Sequence, residues 1–386
     1  MNSPRLVSLD AFRGFTIASM VLVNNPGDWS NLYPQLAHAE WNGWTFTDTI
    51  FPFFLFICGV SMMFSLARRR AENPAAAEIR LALMCSLWQR AGIIFLIGLA
   101  LNVIPNFNLD TVRIPGVLQR IALCILLAAP IVLCFSWRAQ AYWIVALLSG
   151  YTAAMLLVPV ADLSGVVAAG ALEPGRDLGA YIDRLFLSGH MWVKSKTWDP
   201  EGLLSTIPAL TSLLFGVLLG HWLATARTRA EKTVWMMLAG LLCLLIGAII
   251  DVSLMPINKS LWSTSYAVFM TGWALLVFAC FYWVIDGTES AALRARAQAW
   301  LLPFTIYGMN ALFIFAFSGL IAKLLGFIKF AGANGEMVSL KAMLYAPIKA
   351  SSLAPVNQSL LFALLFNLAM FAIGWIMWKK KWFLKV

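Results

Sequence analysis

Along this chain the polar residues gather into short clusters, and between them run apolar stretches of about the length of one bilayer crossing. A hydrocarbon core of about 30 Å takes about 20 residues of α-helix. Ten stretches fit: 9–24, 48–67, 81–104, 116–135, 139–158, 203–224, 233–251, 265–285, 299–322 and 358–378. The first carries Asp10 and Arg13 in its opening turns. Two shorter patches, 161–172 and 338–350 (the latter interrupted by Lys341 and Lys349), read as interfacial or loop segments. The pattern predicts an all-α, polytopic integral membrane protein of about ten transmembrane helices. It shows no exact internal repeat and reads as one membrane domain over 1–386. The opening residues MNSPRLVSLDAFRG lack a cleavage pattern, so the first helix is expected to stay as an anchor.

Composition narrows the picture. Hydrophobic residues make up 61% and charged residues 12%, against about 25% charged in a soluble domain. A larger soluble core does not remove that much surface charge; a bilayer does. The net charge of +10 sits in clusters between apolar runs rather than on solvated faces, which excludes a nucleic-acid surface. The clusters RRR (68–70), RTR (227–229), RAR (294–296) and KKK (379–381), with Arg5 and Lys385, fall on one face, which collects 17 of the 28 Lys and Arg. The positive-inside rule makes that face cytoplasmic, so the N- and C-termini are expected there. All six cysteines lie in apolar stretches and read as small packing residues, with no metal-ligand spacing.

The opposite loops, 25–47, 105–115, 159–202, 252–264 and 323–357, are long and rich in Trp, Asn, Asp and Gly, a trait of functional loops. Ionisable groups within spans are costly and mark candidate sites. Here they are Arg90, Arg120 beside Gln119, and Asp48 at the opening of the second span, joined by the amide Asn310. Each is also readable as a bundle-holding hydrogen bond or ion pair, but Arg90 and Arg120 point to function, since an arginine stays charged and needs an anionic partner. Of three histidines, His221 sits at a helix end, where a cation is favourable, and His190 in an outer loop. His38 stands among Trp41, Asn42, Trp44 and Asp48, where a helix is about to enter the membrane. It is either a proton-transfer group or a satisfied interfacial histidine. No acidic or His/Cys cluster supplies a metal site, and no nucleotide or hydrolase motif has a suitable context.

Seven blocks, in order, resemble the heparan-α-glucosaminide N-acetyltransferase family within the transmembrane acyltransferases. They are RLVSLDAFRG (5–14), MVLVNN (20–25), HAEWNGWTFTDTIFPFFLFICG (38–59), VRIPGVLQR (112–120), WDPEGLLSTIPA (198–209), MPINKSLWSTSY (255–266) and YGMNALF (307–313). The resemblance implies an acetyl-CoA-dependent enzyme that carries an acetyl group across the bilayer to a glucosamine amine. The family's catalytic histidine, in its HAxWNG block, maps onto His38, as base or as acetyl carrier. Its first-helix asparagine maps onto Asn24, with Asn25 one residue away. Asp48 would orient the imidazole, and Asn24 or Asn258 would face the tetrahedral oxyanion. Arg90 and Arg13, and further out Arg120, are expected at the coenzyme. Trp41, Asn42, Arg113, Asn258, Lys259 and Trp262 are expected at the acceptor.

Animal members carry a large extra-cytoplasmic N-terminal segment ahead of the first matched helix. The expectation here is therefore a compact form in a bacterial inner membrane, acting on a glucosamine or a glucosamine-ended oligosaccharide, with a homodimer as one assembly open to it. Two alternatives stand beside it: a glycan O-acetyltransferase, and an amino-sugar permease.

Overall fold

The computed structural model describes residues 6–72, 76–331 and 336–384, with the side chains of 68–72 and 76–79 outside the description. Arg5, Lys385 and the side chains of Arg68, Arg69 and Arg70, which entered the orientation argument, lie outside the described residues. The chain is a helical bundle. Its long helices are α1 (Val7–Asn24), α2 (Phe46–Glu72), α3 (Ala76–Val103), α4 (Val117–Cys134) and α5 (Trp137–Leu157). After the short α6 (Leu178–Leu187) come α7 (Thr206–Leu223), α8 (Arg229–Ser253) and α9 (Thr264–Tyr282). The remainder is α10 (Ala291–Trp300), α11 (Leu302–Met309), α12 (Ala311–Phe327), α13 (Leu340–Lys349) and α14 (Pro355–Lys379). Among the described residues, nine helices are long and apolar enough to cross a membrane, and α11 with α12 makes a tenth, bent span. The protein is thus a multi-pass α-helical membrane protein. Helices dominate because hydrocarbon offers no partner to a backbone N–H or C=O. Where helices begin in loops, side chains cap them: Asp177 for α6, Thr228 for α8 and Ser263 for α9.

The observed spans follow the predicted ones within a few residues, with one difference of kind. The stretch 299–322, read as one helix, is broken at Asn310, where α11 and α12 meet at 82°. The Asn310 side chain looks away from both helices. Its Nδ2 donates to Trp382 O (3.0 Å) and its Oδ1 accepts from Leu384 N (3.0 Å), so the chain's last described residues supply the partners. Of the two short apolar patches, 161–172 contributes to a small hairpin, Val160–Ala161 with Val167–Ala168. The second forms the strand Met337–Ser339 and helix α13.

Reciprocal glycine contacts set the tightest crossings. A Cβ on Gly59 (α2) would stand 1.9 Å from the Leu213 carbonyl oxygen of α7, and one on Gly216 (α7) 1.9 Å from that of Phe56. Gly14 (α1) and Gly308 (α11) meet likewise, at 1.6 Å from Phe304 O and 1.9 Å from Asp10 O. In lipid, helices associate through such close backbone approach. α2, pinned to α7, fixes the height of Asp48 in its first turn. The long loops converge on one end of the bundle, tied by Gly43 N to Ile257 O (2.7 Å), Trp41 Nε1 to Leu172 O (2.9 Å) and Gly27 N to Ser359 O (3.1 Å).

Candidate functional site

At that loop-rich end lies a cavity of about 750 Å³, floored by Met20, Phe51 and Phe315 and walled by loop residues. Its chemistry starts at the N-terminus of α2. The run Thr45-Phe46-Thr47-Asp48 is a T-x-x-D capping sequence, and Asp48 Oδ2 accepts the Thr45 N–H (3.1 Å) and hydroxyl (3.2 Å). The same oxygen accepts Ala39 N–H (3.0 Å), and Tyr266 Oη donates to the Asp48 carbonyl (2.6 Å). Asp48 is therefore immobilised and 1% exposed. Its remaining oxygen, Oδ1, lies 2.6 Å from His38 Nδ1. An ionised carboxylate only accepts, so Nδ1 carries the hydrogen and Nε2 keeps its lone pair. The His38 side chain is 48% exposed and lines the cavity.

Lys259 completes the cluster. Its Nζ stands 3.0 Å from His38 Nδ1, 3.1 Å from Nε2 and 3.6 Å from Asp48 Oδ1. Burial pulls its proton affinity below the ordinary lysine range, with Asp48 and Glu201 opposing. Across the cavity Arg113 holds Asp199 (2.8 and 2.6 Å) and Glu201 (2.5 Å). Burial raises the Glu201 carboxyl, but the positive charges of Arg113 and Arg120 outweigh it and hold the group below its usual range. Asp199 also accepts Trp192 N and Glu201 N (both 2.9 Å), so this one arginine orders the wall from Trp192 to Glu201. Behind it Asp183 accepts the backbone N–H of Asp199 (3.2 Å) and Leu203 (2.9 Å), and burial pushes its carboxyl up to about 6. Arg113→Met strands two carboxylates in a partly buried wall. The expected cost is on the order of 3 kcal/mol, seen as a lower unfolding temperature and faster hydrogen exchange over 188–205. Unchanged exchange there would count against this role.

Of the residues singled out in the sequence, Asn24, His38, Trp41, Asp48, Arg113 and Lys259 all line this cavity. Asn25 turns its Nδ2 back to Val21 O (2.7 Å), while Asn24 lines the cavity. Asn42 and Asn258 stand beside the cavity and bond each other, Nδ2 of Asn258 to Oδ1 of Asn42 (3.2 Å). Asn258, fully buried, also accepts Leu261 N (2.9 Å), so its amide builds the 256–263 turn. Trp262 is fully buried, edge-on to Phe51 and Tyr266, and its ring carries the Arg120 guanidinium at 5.2 Å. Arg120 spends itself on Gly202 O (3.1 Å) and the Ser205 hydroxyl. Both belong to the packing behind the wall.

Arg13 lies eleven residues down α1 from Asn24, about 16 Å along the helix. It is bound to Asp10 (3.2 Å), Gly308 O (3.4 Å) and Ser61 (2.7 Å). Arg90 is on an exposed face of α3, and the charges of both arginines reach Cys58 on α2. Neither is at the cavity. The wall also holds Glu40, Lys194, Trp192, Glu201 and Trp29, which composition did not single out. Trp41 and Trp198 meet edge to face at 5.1 Å, and Trp192 stands 6.1 Å from Trp198. Among the described residues no group of three His, Cys, Asp or Glu could hold a metal ion. The assembled chemistry is an oriented imidazole with an open Nε2, an ammonium beside it, and an aromatic, partly acidic wall.

The chain is 29% identical to the human heparan-α-glucosaminide N-acetyltransferase, over 81% of this chain and 52% of that protein. To the mouse protein of the same name it is 28% identical, over 81% of this chain and 53% of the relative. It spans about half the length of these curated relatives. The family model described as heparan-α-glucosaminide N-acetyltransferase, catalytic, matches residues 5–247, a stretch that holds Asn24, His38, Asp48, Arg113 and Glu201. With more than half its length so matched, the chain belongs to the heparan-α-glucosaminide N-acetyltransferase family.

Proposed function

We propose that this protein transfers the acetyl group of acetyl-CoA to the amine of an amino sugar, inside the cavity at His38. The observation that carries the reading is the Asp48–His38 pair with Nε2 open to a cavity large enough for an amino sugar and a thioester end. Amide formation needs a neutral amine. His38 Nε2 takes the proton, and Asp48 holds the imidazole in the tautomer that allows it. Asn24, at the cavity edge, offers its amide to the acetyl carbonyl. The imidazole can equally carry the acetyl group itself in a two-step route. Trp41 and Trp198 suit the faces of a pyranose ring. The coenzyme approaches from the end where Arg13 and Arg90 stand, and their guanidinium charges suit its phosphates. From there the pantetheine arm extends along α1 and α2 to the cavity floor. In this reading the termini face the cytoplasm of a bacterial inner membrane and the cavity faces outward.

Asp48→Asn keeps the shape but can donate to Nδ1, which moves the proton to Nε2 and removes the base. A fall in kcat of about 10²–10³-fold is expected, with little change in acceptor KM; a kcat near wild type would exclude the orienting role. The reading as a whole is tested with purified protein, radiolabelled acetyl-CoA and a panel of amine and hydroxyl acceptors. Labelled N-acetyl sugar is expected. Label on hydroxyl acceptors alone would select O-acetylation. The broken span favours a transporter at first sight, since discontinuous helices line transport sites. Yet Asn310 at the break is held by Trp382 and Leu384, and α11 packs against the first turns of α1, at the end away from the cavity.

A further inference from the structure

The mechanism above leaves the negative charge of the tetrahedral intermediate poorly met. Asn258, one of the two side-chain amides expected to face it, is committed to Asn42 and Leu261 N. Asn24 remains as a neutral donor at the cavity edge. Among the described residues the positive group in contact with His38 is Lys259. Nζ is almost equidistant from the two ring nitrogens, 3.0 and 3.1 Å. A donor aligned with one imidazole lone pair would be near that nitrogen and well away from the other. The ammonium therefore lies along neither lone pair, and it leaves the Nε2 direction open for an incoming proton or acyl carbon. Nδ1 is already donating to Asp48, so it offers Lys259 nothing, and Asp48 Oδ1 at 3.6 Å is a charge partner rather than a hydrogen-bond acceptor. An ammonium has three N–H groups. The contacts to the His38 ring and to Asp48 leave at least one of them uncommitted, although the side chain is only 21% exposed.

The position is rigid. Lys259 follows the fully buried Asn258; its carbonyl accepts Trp262 N (3.0 Å), and Asn258 N is held by Ser263 Oγ (3.0 Å). Trp262 takes a positive φ of 51° to close this turn and is itself locked in the core. The turn thus aims a cation with open donors at the space beside Nε2.

We propose that the Lys259 ammonium is a catalytic group that stabilises the oxyanion formed when the acceptor amine attacks the acetyl carbonyl. The inference rests on the acetyl-transfer reading and goes beyond it by giving a substrate-wall residue a role in the chemical step. The amine nitrogen bonds to the carbonyl carbon, and the carbonyl π pair moves onto oxygen beside Nζ. One amine proton passes to His38 Nε2. Collapse re-forms the C=O bond and breaks the C–S bond, and the leaving thiolate takes the proton back from the imidazole. Lys259 keeps its three protons throughout and donates hydrogen bonds to the oxygen. A charged donor preorganised in a cavity is favoured because it needs no reorganisation as charge develops.

Lys259 is faced by Asp48 from α2, His38 from the loop after α1, Glu201 from the segment before α7 and Arg120 from α4, with Arg113, Glu40 and Lys194 on the same wall or behind it. Their balance leaves the ammonium easier to deprotonate than a free lysine, burial being the largest cause. The sign is definite: the charged donor is present at low pH and is lost as pH rises through a value below the ordinary lysine range. Arginine stays charged across that range.

The test compares Lys259→Met and Lys259→Arg with wild type in the full chain, using acetyl-CoA and glucosamine, with gel filtration and thermal unfolding to confirm folding. For Lys259→Met the expected result is a kcat lower by about 10²–10³-fold, with an acceptor KM within about threefold of wild type. For Lys259→Arg, part of kcat returns and the alkaline limb of the pH profile moves up. The Arg variant, whose charge preserves the local balance, carries the test if Lys259→Met fails to fold. A kcat within about threefold of wild type in Lys259→Met, or a raised acceptor KM with kcat unchanged, would overturn the proposal. So would an alkaline limb that is the same in wild type and Lys259→Arg. An active wild type with an active Lys259→Met sinks this inference alone; an inactive wild type sinks the acetyl-transfer reading with it.

Discussion

Replacing His38 with alanine is expected to lower acetyl transfer by about 10³-fold or more while leaving the fold unchanged, since general acid–base groups contribute about 10²–10⁴-fold. The fold survives because the imidazole is half exposed and packs into no core. Asp48 keeps its three bonds from Ala39 and Thr45, and Lys259 remains as its charge partner. The loss is chemical. Among the described residues nothing else on the cavity wall combines an open lone pair with a fixed tautomer: Lys259 is a cation, and Glu201 is tied to Arg113. The measurement is kcat with acetyl-CoA and glucosamine, beside thermal unfolding of the same preparation. An active His38→Ala with normal stability would remove the centre of the mechanism. Incubation of wild type with labelled acetyl-CoA alone adds a second answer. Label held on His38 marks the two-step route, and its absence marks direct attack.

The second large effect is structural. Gly59→Ala places a methyl 1.9 Å from the Leu213 carbonyl oxygen, and the obstacle is α7 backbone. No rotamer relieves that clash, so the crossing must open. Ordinary overpacking costs about 1–3 kcal/mol, and a backbone obstacle places Gly59→Ala above that range. At about 1 °C per kcal/mol for a chain of this length, the unfolding temperature should fall by about 4 °C or more. Activity should fall with it, because α2 carries Asp48 and α7 follows directly on the Glu201 segment. Gly92→Ala on α3 is the control: its Cβ would meet nothing within 4 Å, so the same methyl should be neutral or slightly stabilising. Equal behaviour of the two variants would refute the close-crossing account.

These contrasts show what sequence could disclose. The ten spans were legible because hydrocarbon thickness imposes a length, and a run such as 203–224 satisfies it with little interruption. The break at Asn310 was not, because one amide in an apolar run gives the same pattern in a straight helix and in a bent one. Its cause lies about 70 residues away, at Trp382 and Leu384. The resemblance singled out His38, and the T-x-x-D run placed Asp48 at a helix start ten residues on. Their 2.6 Å contact then follows from a short loop folding onto the cap it precedes. Arg120 and Trp262 were less legible. A charge or an indole near a helix end reads alike whether it faces a cavity or a buried partner, and these two face each other. Glu201 escaped notice because an acidic loop residue ordinarily means solvent. Only the fold brings Arg113 across some 88 residues to meet it.

In the proposed mechanism donor and acceptor reach one cavity from opposite sides of the membrane. Proteoliposomes test it most directly, with protein of one orientation, radiolabelled acetyl-CoA at the face bearing Arg13 and Arg90, and glucosamine at the face bearing His38. The expected result is labelled N-acetylglucosamine on the His38 side, CoA left on the donor side, and no product with His38→Ala. Product formed only when both substrates share one side, or unmodified glucosamine crossing the vesicle wall in wild type and His38→Ala alike, would contradict it.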